Sequence, residues 1–279
     1  MAHIGDRTCL TILREAPPGL FLDSEGYLGD ILLPRNEMPY DYKLGDELEV
    51  FLYTDSEDRP IATMKHPKVM PGEFAYLECL AVTQVGSFLD WGLMKDLLLP
   101  FREQRERCEI GQSYVVYVHV DPTSDRIVAS RRIAKHLSHA EEDFYSEGEE
   151  VDLRLYGKTD LGYKAIINGE HSGLLFANEV HRRLRAGERT KGYIRKVRVD
   201  GKIDLSLYPP GRSHIDDLEV RIEEELQKRD GYWELCDSSS PEAINKALGV
   251  SKKAFKQATG ALFRQRKITI SKDGIRVVE

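Results

Sequence analysis

Leu32-Leu33-Pro34, Gly45-Asp46 and Ile61-Ala62-Thr63-Met64 form a pattern that recurs twice farther along the chain. A shift of 66 residues gives Leu98-Leu99-Pro100, Gly111-Gln112 and Ile127-Val128-Ala129-Ser130. A further shift of 76 residues gives Leu174-Leu175-Phe176, Gly187-Glu188 and Ile203-Asp204-Leu205-Ser206. A leucine pair, a glycine and a β-type run at fixed spacing in three places indicate an internal repeat, which decides the fold of most of the chain.

Each copy of the repeat predicts five short strands. In the second copy we place them at Phe74–Val82, Ser87–Asp90, Lys95–Leu99, Ser113–Val120 and Ile127–Ser130. Alternating Tyr and Val residues mark the fourth strand, and a charged, partly helical connection (Phe101–Glu109) precedes it. Five strands with a longer link between the third and fourth are typical of an OB-type barrel. A β-sandwich with accidental repetition is the alternative.

The C-terminal residues follow a different pattern. Leu218, Ile222 and Leu226 share one face of a predicted helix, Asp216–Arg229. Two more helices are predicted, one after the cap Ser240-Pro241 and one after the cap Ser251. An Asp273-Gly274 turn then joins two short strands into a hairpin. Three helices and a hairpin predict a winged helix, so the whole chain is expected to be mainly β with an α+β end.

The repeats resemble the S1 RNA-binding module, a member of the OB-fold class. The glycine and aromatic of that module's second strand correspond to Gly19-Leu20-Phe21, Gly86-Ser87-Phe88 and Gly162-Tyr163-Lys164. Its final Leu-Ser element matches best at Ile203-Asp204-Leu205-Ser206. We therefore expect three S1-like OB domains at residues 1–68, 69–140 and 141–211, followed by a winged-helix domain at 212–279.

This order of modules resembles the bacterial family of conserved virulence factor B, also called YitL. The segment Ser251-Lys252-Lys253-Ala254-Phe255-Lys256 and the following Lys267-Ile268 carry that resemblance most clearly. The resemblance implies RNA binding and a role in post-transcriptional regulation, without enzymatic activity. Ribosomal or RNA-processing proteins are the protein partners expected with such a role.

Composition is compatible with these expectations and limits others. The chain is 41% hydrophobic and 31% charged, too apolar for a disordered protein. No apolar run is long enough for a membrane span, and the first residues lack a signal core, so we expect a cytoplasmic protein. The net charge is −7, and residues 1–68 carry 13 acidic against 7 basic side chains. Any polyanion should therefore contact mainly the later modules.

Aromatic rings are the first candidates for contacts with RNA. OB barrels stack unpaired bases on rings of the second and third strands. We predict such rings at Phe21, Tyr27, Phe88, Trp91 and Tyr163. Trp91 stands beside a turn glycine, which favours exposure. The alternative for each ring is that it faces the core of its own barrel.

Cationic side chains are the second candidates, since they release counterions from phosphates. The richest stretch runs from Arg182 to Lys202, and the alternative there is neutralisation by the acidic run Glu141–Glu150. The predicted contacts in the barrels are Lys95, Arg131, Arg132, Lys164, Arg182, Arg183, Arg195, Lys196 and Arg198. Those in the winged helix are Lys252, Lys253, Lys256, Arg264 and Arg266.

Other functions are weaker interpretations of the same residues. The chain contains no phosphate-binding glycine loop and no G-x-S-x-G motif, and no third ligand accompanies His136 and His139, so we predict no enzyme, no metal and no cofactor. The third helix of a winged helix can enter the major groove, which leaves a duplex-DNA-binding regulator as an alternative. Its lysines suit phosphates better than base edges. A protein-interaction scaffold is the remaining alternative.

Overall fold

Three closed five-stranded barrels follow one another along residues 7–206. The computed structural model describes residues 2–26, 28–141, 143–180 and 182–278. Each barrel has one strand order, β1-β2-β3-β5-β4 in the first, with the third and fifth strands parallel and the other neighbours antiparallel. The predicted fold class, S1-like OB barrels followed by a winged helix, is confirmed.

The strand bounds repeat in the three barrels. The first barrel contains β1 (Arg7–Ala16), β2 (Gly19–Asp23), β3 (Asp30–Pro34), β4 (Glu47–Thr54) and β5 (Pro60–Thr63). The second contains β6 (Phe74–Val82), β7 (Gly86–Leu89), β8 (Leu97–Pro100), β9 (Ser113–Asp121) and β10 (Arg126–Ser130). The third contains β11 (Glu150–Lys158), β12 (Gly162–Ile167), β13 (His171–Phe176), β14 (Arg189–Val197) and β15 (Ile203–Ser206).

The repeated glycine has a packing role in every barrel. A Cβ at Gly19, Gly86 or Gly162 would overlap the backbone carbonyl oxygen of the facing third strand, which belongs to Leu33, Leu99 and Leu175 respectively. Only glycine allows the second strand to approach the third so closely at this point. The same glycine therefore fixes the start of the second strand in all three copies.

The first two barrels share part of their cores. Phe51 and Tyr53 point outward from β4 of the first barrel and join the core cluster of the second, which includes Trp91. Residues 1–137 form one compact unit and residues 138–279 another. The first two barrels are thus packed on each other through buried aromatic side chains.

The winged helix has its own core. Its helices are α1 (His214–Gln227), α2 (Pro241–Leu248) and α3 (Lys252–Arg264), and its sheet is formed by β16 (Tyr232–Trp233), β17 (Ile268–Ile270) and β18 (Ile275–Val277). Leu218, Ile222 and Leu226 of α1 are buried, as the helical spacing predicts. Ser240 and Ser251 accept the backbone N–H of Ala243 and Ala254, and so cap α2 and α3.

Candidate nucleic-acid interface

One outward-facing position on the second strand lies at the centre of each barrel's candidate surface. Strand register pairs Phe21 with Leu32 in the first barrel and Phe88 with Leu98 in the second. In the third barrel Lys164 pairs with Leu174 at the corresponding position. The leucine next to it lies beside the fifth strand in parallel register. Each barrel therefore presents a two-residue floor bordered by its fifth strand.

The second barrel carries two adjoining depressions. A cavity of about 380 Å³ is lined by Phe88, Trp91 and Leu98, and by the first barrel's Tyr53. An open cleft of about 390 Å³ continues over Leu98 towards Phe101. Val85, Leu98 and Arg126 line both, so the two depressions form one groove across β7, β8 and β10. We call this surface the second-barrel groove.

Charges stand at the rim of the second-barrel groove. The Arg126 guanidinium pairs with Asp58, which belongs to the turn before β5 of the first barrel. The Lys95 ammonium lies 3.6 Å from the Asp58 carboxylate, and it donates to the Thr54 hydroxyl at 3.1 Å. A carboxylate of the first barrel therefore neutralises two cations that border the groove of the second.

Trp91 corrects one expectation from the sequence. Its side chain is 2% exposed, so the predicted exposure is wrong. The indole lies edge-on to Phe51 and Tyr53, with centroids 5.9 and 6.3 Å away, and its Nε1–H donates to the Lys95 carbonyl. Burial raises the pKa of the neighbouring Tyr53 to about 12. The first barrel covers a ring that the turn glycine would otherwise have left open, although Trp91 still contributes to the lining of the cavity.

The first barrel presents its ring less openly than the second. Phe21 is half-buried, and the Arg14 guanidinium lies 3.7 Å from the ring centroid. Arg14 also pairs with Asp30 at 3.3 Å. A base could stack on Phe21 only after Arg14 moved away. Tyr27, the other ring predicted in this barrel, lies outside the described residues.

At the outward position of the second strand, the third barrel has a lysine where the other two barrels have a phenylalanine. Tyr163 packs against the core of the barrel, so the alternative of an inward-facing ring holds for it. Lys164 faces outward and is half-buried. Phe176, at the end of β13, is a half-buried ring with the Arg198 guanidinium 5.9 Å from its centroid. The third barrel thus offers more charge and less aromatic surface than the second.

Arg131 and Arg132 lie at the end of β10, and both are engaged within the second barrel. Arg131 lies over the ring of Tyr114 at 4.3 Å and donates to the Glu106 carbonyl. Arg132 donates from Nε to the Arg102 carbonyl. Neither residue lines the second-barrel groove. Their proposed contact with RNA would have to lie on another face of this barrel.

In the cationic stretch of the third barrel, five of the nine Lys and Arg side chains pair with acids of the same barrel. Arg198 lies 2.9 Å from Asp204, and Lys191 lies 2.9 Å from Asp152. The remaining pairs in this stretch are Arg182–Glu188, Arg195–Glu179 and Lys202–Asp200. Within this stretch, as far as the structure describes it, the exposed cations Arg183, Arg189 and Lys196 form no ion pair with a carboxylate. Glu150 of the predicted acidic run does contact Lys191, at 3.7 Å.

The cations of the winged helix are divided in the same way. Lys252 is half-buried and donates to the Ser239 carbonyl, and Lys256 lies 3.8 Å from Asp237. Lys253 and Arg264 lie on the exposed side of α3, and Arg266 is exposed just after it. Spacing along α3 places Lys253, Lys256 and Arg264 on one stripe. This stripe offers phosphate contacts rather than paired donors and acceptors for base edges.

Comparison with known proteins matches family models to the first barrel and to the winged helix. The S1 domain family matches residues 4–65, and the CvfB-like winged helix domain family matches residues 220–277. YitL of Bacillus subtilis is 28% identical over 95% of this chain and 90% of its own. Conserved virulence factor B of Staphylococcus epidermidis is 25% identical over 84% of this chain and 83% of its own.

The resemblance to the conserved virulence factor B family is confirmed. In Staphylococcus aureus, a conserved virulence factor B is 25% identical over 88% of this chain and 87% of its own. A solved structure described as a multidomain protein with nucleic acid binding domains, from Streptococcus pneumoniae, aligns over 99% of this chain and 98% of its own, at 22% identity and a TM-score of 0.46. S1 and winged-helix domains are binding modules, so the domain content of this chain is that of a nucleic-acid-binding protein.

Several residues of the candidate interface were not singled out from the sequence. Arg126 and Arg102 border the second-barrel groove, and Arg102 pairs with Asp121 at 2.6 Å. Phe176 is a third-barrel ring at the place where the other barrels have proline. The repeat itself could have shown Phe176, because it follows the leucine pair that aligns the three copies. Arg126 gave no such signal, since a lone arginine after a turn is common.

The described residues contain neither a membrane-spanning helix nor a cluster of metal ligands. None of the helices there is both long and apolar enough to cross a membrane. No group of three or more His, Cys, Asp or Glu side chains in the same residues is arranged to hold a metal ion. The ring of His136 instead stacks on Tyr117, with centroids 4.2 Å apart.

Proposed function

We propose that this chain is a non-catalytic, single-stranded RNA-binding protein that acts in post-transcriptional regulation. The observation that carries the proposal is the second-barrel groove, with an apolar floor at Phe88 and Leu98 and a guanidinium at its rim. An unpaired strand can lay base faces on such a floor while its phosphates meet the cations. A duplex keeps its bases stacked and presents mainly phosphates to the same surface. The resemblance to S1 modules directs the proposal to RNA.

The paired cations of the third barrel are compatible with this proposal. Exposed ion pairs contribute only about 0–1 kcal/mol each, because water screens them. Phosphates can therefore replace exposed carboxylates such as Asp152 and Asp200 at little cost in free energy. We propose that the second barrel holds bases, while the third barrel and the stripe on α3 follow the backbone of the strand.

We also propose four modules, at residues 1–68, 69–140, 141–211 and 212–279. The first barrel then has a structural role in addition to any contact with RNA. It supplies Tyr53 to the wall of the second-barrel groove and Asp58 to its rim. Its Phe21 ring is covered by Arg14, so we place the main RNA contacts in the later modules.

The proposed function is tested by titrating the full chain against labelled oligonucleotides at several salt concentrations. The ligands are an unstructured RNA, the DNA strand of the same sequence and the corresponding DNA duplex. We expect the RNA to bind best. Its affinity should fall with salt, and the slope of log affinity against log salt should be about −0.7 for each phosphate contact. Preference for the duplex would favour a DNA-binding regulator, and absence of binding at low salt would favour a protein scaffold.

A further inference from the structure

One carboxylate in the cavity between the first two barrels has no partner among the residues that the structure describes. Asp96 precedes β8 and lines the cavity of about 380 Å³ together with Phe88 and Arg126. The other charged residues that line it, Asp58, Lys95 and Arg126, pair with one another. Within the residues that the structure describes, Asp96 makes no hydrogen bond and no ion pair. It is the charged group in this cavity that remains available to a ligand.

The surroundings of Asp96 favour a ligand that donates hydrogen bonds to its carboxylate. Its side chain is half-buried, and burial raises the pKa of Asp96, with a smaller contribution from the nearby Asp90. A carboxylate that has lost water without gaining donors is destabilised, and hydrogen bonds to both oxygens remove that cost. The walls beside it are the ring of Phe88 and the side chain of Leu98, which suit a flat apolar ligand.

We propose that this cavity holds one unpaired guanine base of the bound RNA, with the two Asp96 oxygens accepting from its N1–H and N2–H groups. The proposal rests on the proposed RNA-binding function and specifies the base that its second barrel prefers. Among the four bases, guanine alone presents two adjacent donors on its Watson–Crick edge. Adenine and cytosine place an acceptor beside their donor, and uracil places acceptors on both sides of its single N–H. A carboxylate only accepts, so it repels each of those acceptors.

The size and rim of the cavity fit a base with its phosphate. Ligand sites typically enclose roughly 300–1,000 Å³, and this cavity lies at the small end of that range. Phe88 provides the face on which the base stacks. Arg126 stands at the opening and can exchange Asp58 for the phosphate of the same nucleotide. In this site, Asp96 and Phe88 would therefore contact the base, and Arg126 would contact its phosphate.

The test uses the full chain and a labelled uracil-rich RNA with one central guanine, inosine or uracil. Inosine keeps N1–H and lacks the N2 amine. We expect guanine to bind about 5- to 150-fold more tightly than uracil, since a bidentate contact gives about 1–3 kcal/mol of discrimination, with inosine between them. In Asp96→Asn the guanine-to-uracil ratio should fall to about one, because the amide places a donor where an acceptor is needed. Glu109→Gln, an exposed acid on the same barrel outside the cavity, is the matched control and should keep the ratio.

The outcomes separate this site from the proposed function. Binding of all three RNAs with equal affinity by the unaltered chain would overturn the guanine site and leave RNA binding intact. A guanine preference that persists in Asp96→Asn, with the variant folded by circular dichroism, would also overturn it. Failure of the unaltered chain to bind any of the RNAs would overturn the proposed function and the guanine site together.

Discussion

Phe88 and Arg126 border one groove, but they are expected to act on RNA by different physical mechanisms. Stacking on a ring depends little on ionic strength, because it involves no net charge. A guanidinium that replaces counterions around a phosphate contributes less as salt rises. At the scale of single residues, affinity and its dependence on salt therefore report separately on the two side chains.

We predict that Phe88→Ala lowers RNA affinity about 5- to 150-fold, the equivalent of roughly 1–3 kcal/mol for one stacked base. The slope of log affinity against log salt should stay unchanged, since no cation is removed. Fluorescence anisotropy at several salt concentrations measures both quantities. An affinity within about twofold of the unaltered chain would exclude Phe88 as a stacking platform.

For Arg126→Gln we predict weaker RNA binding at low salt. The slope of log affinity against log salt should become shallower by about 0.7, the contribution of one phosphate contact. Arg105→Gln removes an exposed arginine of the same barrel that lies outside the groove, and serves as the control. Equal slopes for the two variants would show that Arg126 does not contact phosphate.

Trp91→Ala should act on stability, because the indole fills the shared core of the first two barrels. We expect the free energy of unfolding to fall by roughly 3–5 kcal/mol, as for other large aromatic truncations. Urea denaturation of the full chain measures this change, and Ile110→Ala, at a residue that is 66% exposed, is the control. Unchanged stability with weakened RNA binding would restore Trp91 as a contact residue.

At the scale of secondary-structure elements, the three-fold repetition made most of the fold predictable. The leucine pairs and the glycine that begins each second strand mark positions where the barrel geometry leaves little freedom, so they recur in all copies. β16 could not be foreseen, because a two-residue strand has no periodicity and forms only when β18 lies beside it. The inward position of Tyr163 and the outward position of Lys164 could not be predicted either, since composition alone does not show which of two neighbours faces the core.

We predict that Gly162→Ala lowers the melting temperature of the unit that contains the third barrel by at least about 2–4 °C, since a Cβ there overlaps the Leu175 carbonyl. Gly157→Ala is the matched control in the same barrel, because nothing lies within 4 Å of its Cβ position. Differential scanning calorimetry compares the two. Equal transitions would mean that β12 and β13 can separate without cost.

At the scale of the whole chain, the placement of charge is not readable from sequence. Acid in residues 1–68 suggested only that the first barrel avoids polyanions. In the structure one of those acids, Asp58, neutralises Arg126 and Lys95 of the second barrel, a contact between residues far apart in the chain. Such pairings depend on how two barrels pack, and a single sequence carries no pattern for that packing.

Asp58→Asn should therefore raise RNA affinity several-fold at low salt, because it frees Arg126 for phosphate while asparagine tolerates the positive φ of 63° at this turn. Glu57→Gln removes an exposed acid of the same turn and should change affinity less. Anisotropy titrations measure both variants. A decrease in affinity for Asp58→Asn would show that the pair holds the groove in its binding form.

The buried contact of Phe51 and Tyr53 with Trp91 limits how the chain can be shortened. A fragment that ends at Pro67 would expose the two first-barrel rings to water, and such surfaces promote self-association. A fragment that continues to Leu137, where the first compact unit ends, keeps those rings covered. Limited proteolysis should consequently spare the link between the first two barrels, and trimming for crystallisation or binding studies should leave that pair intact.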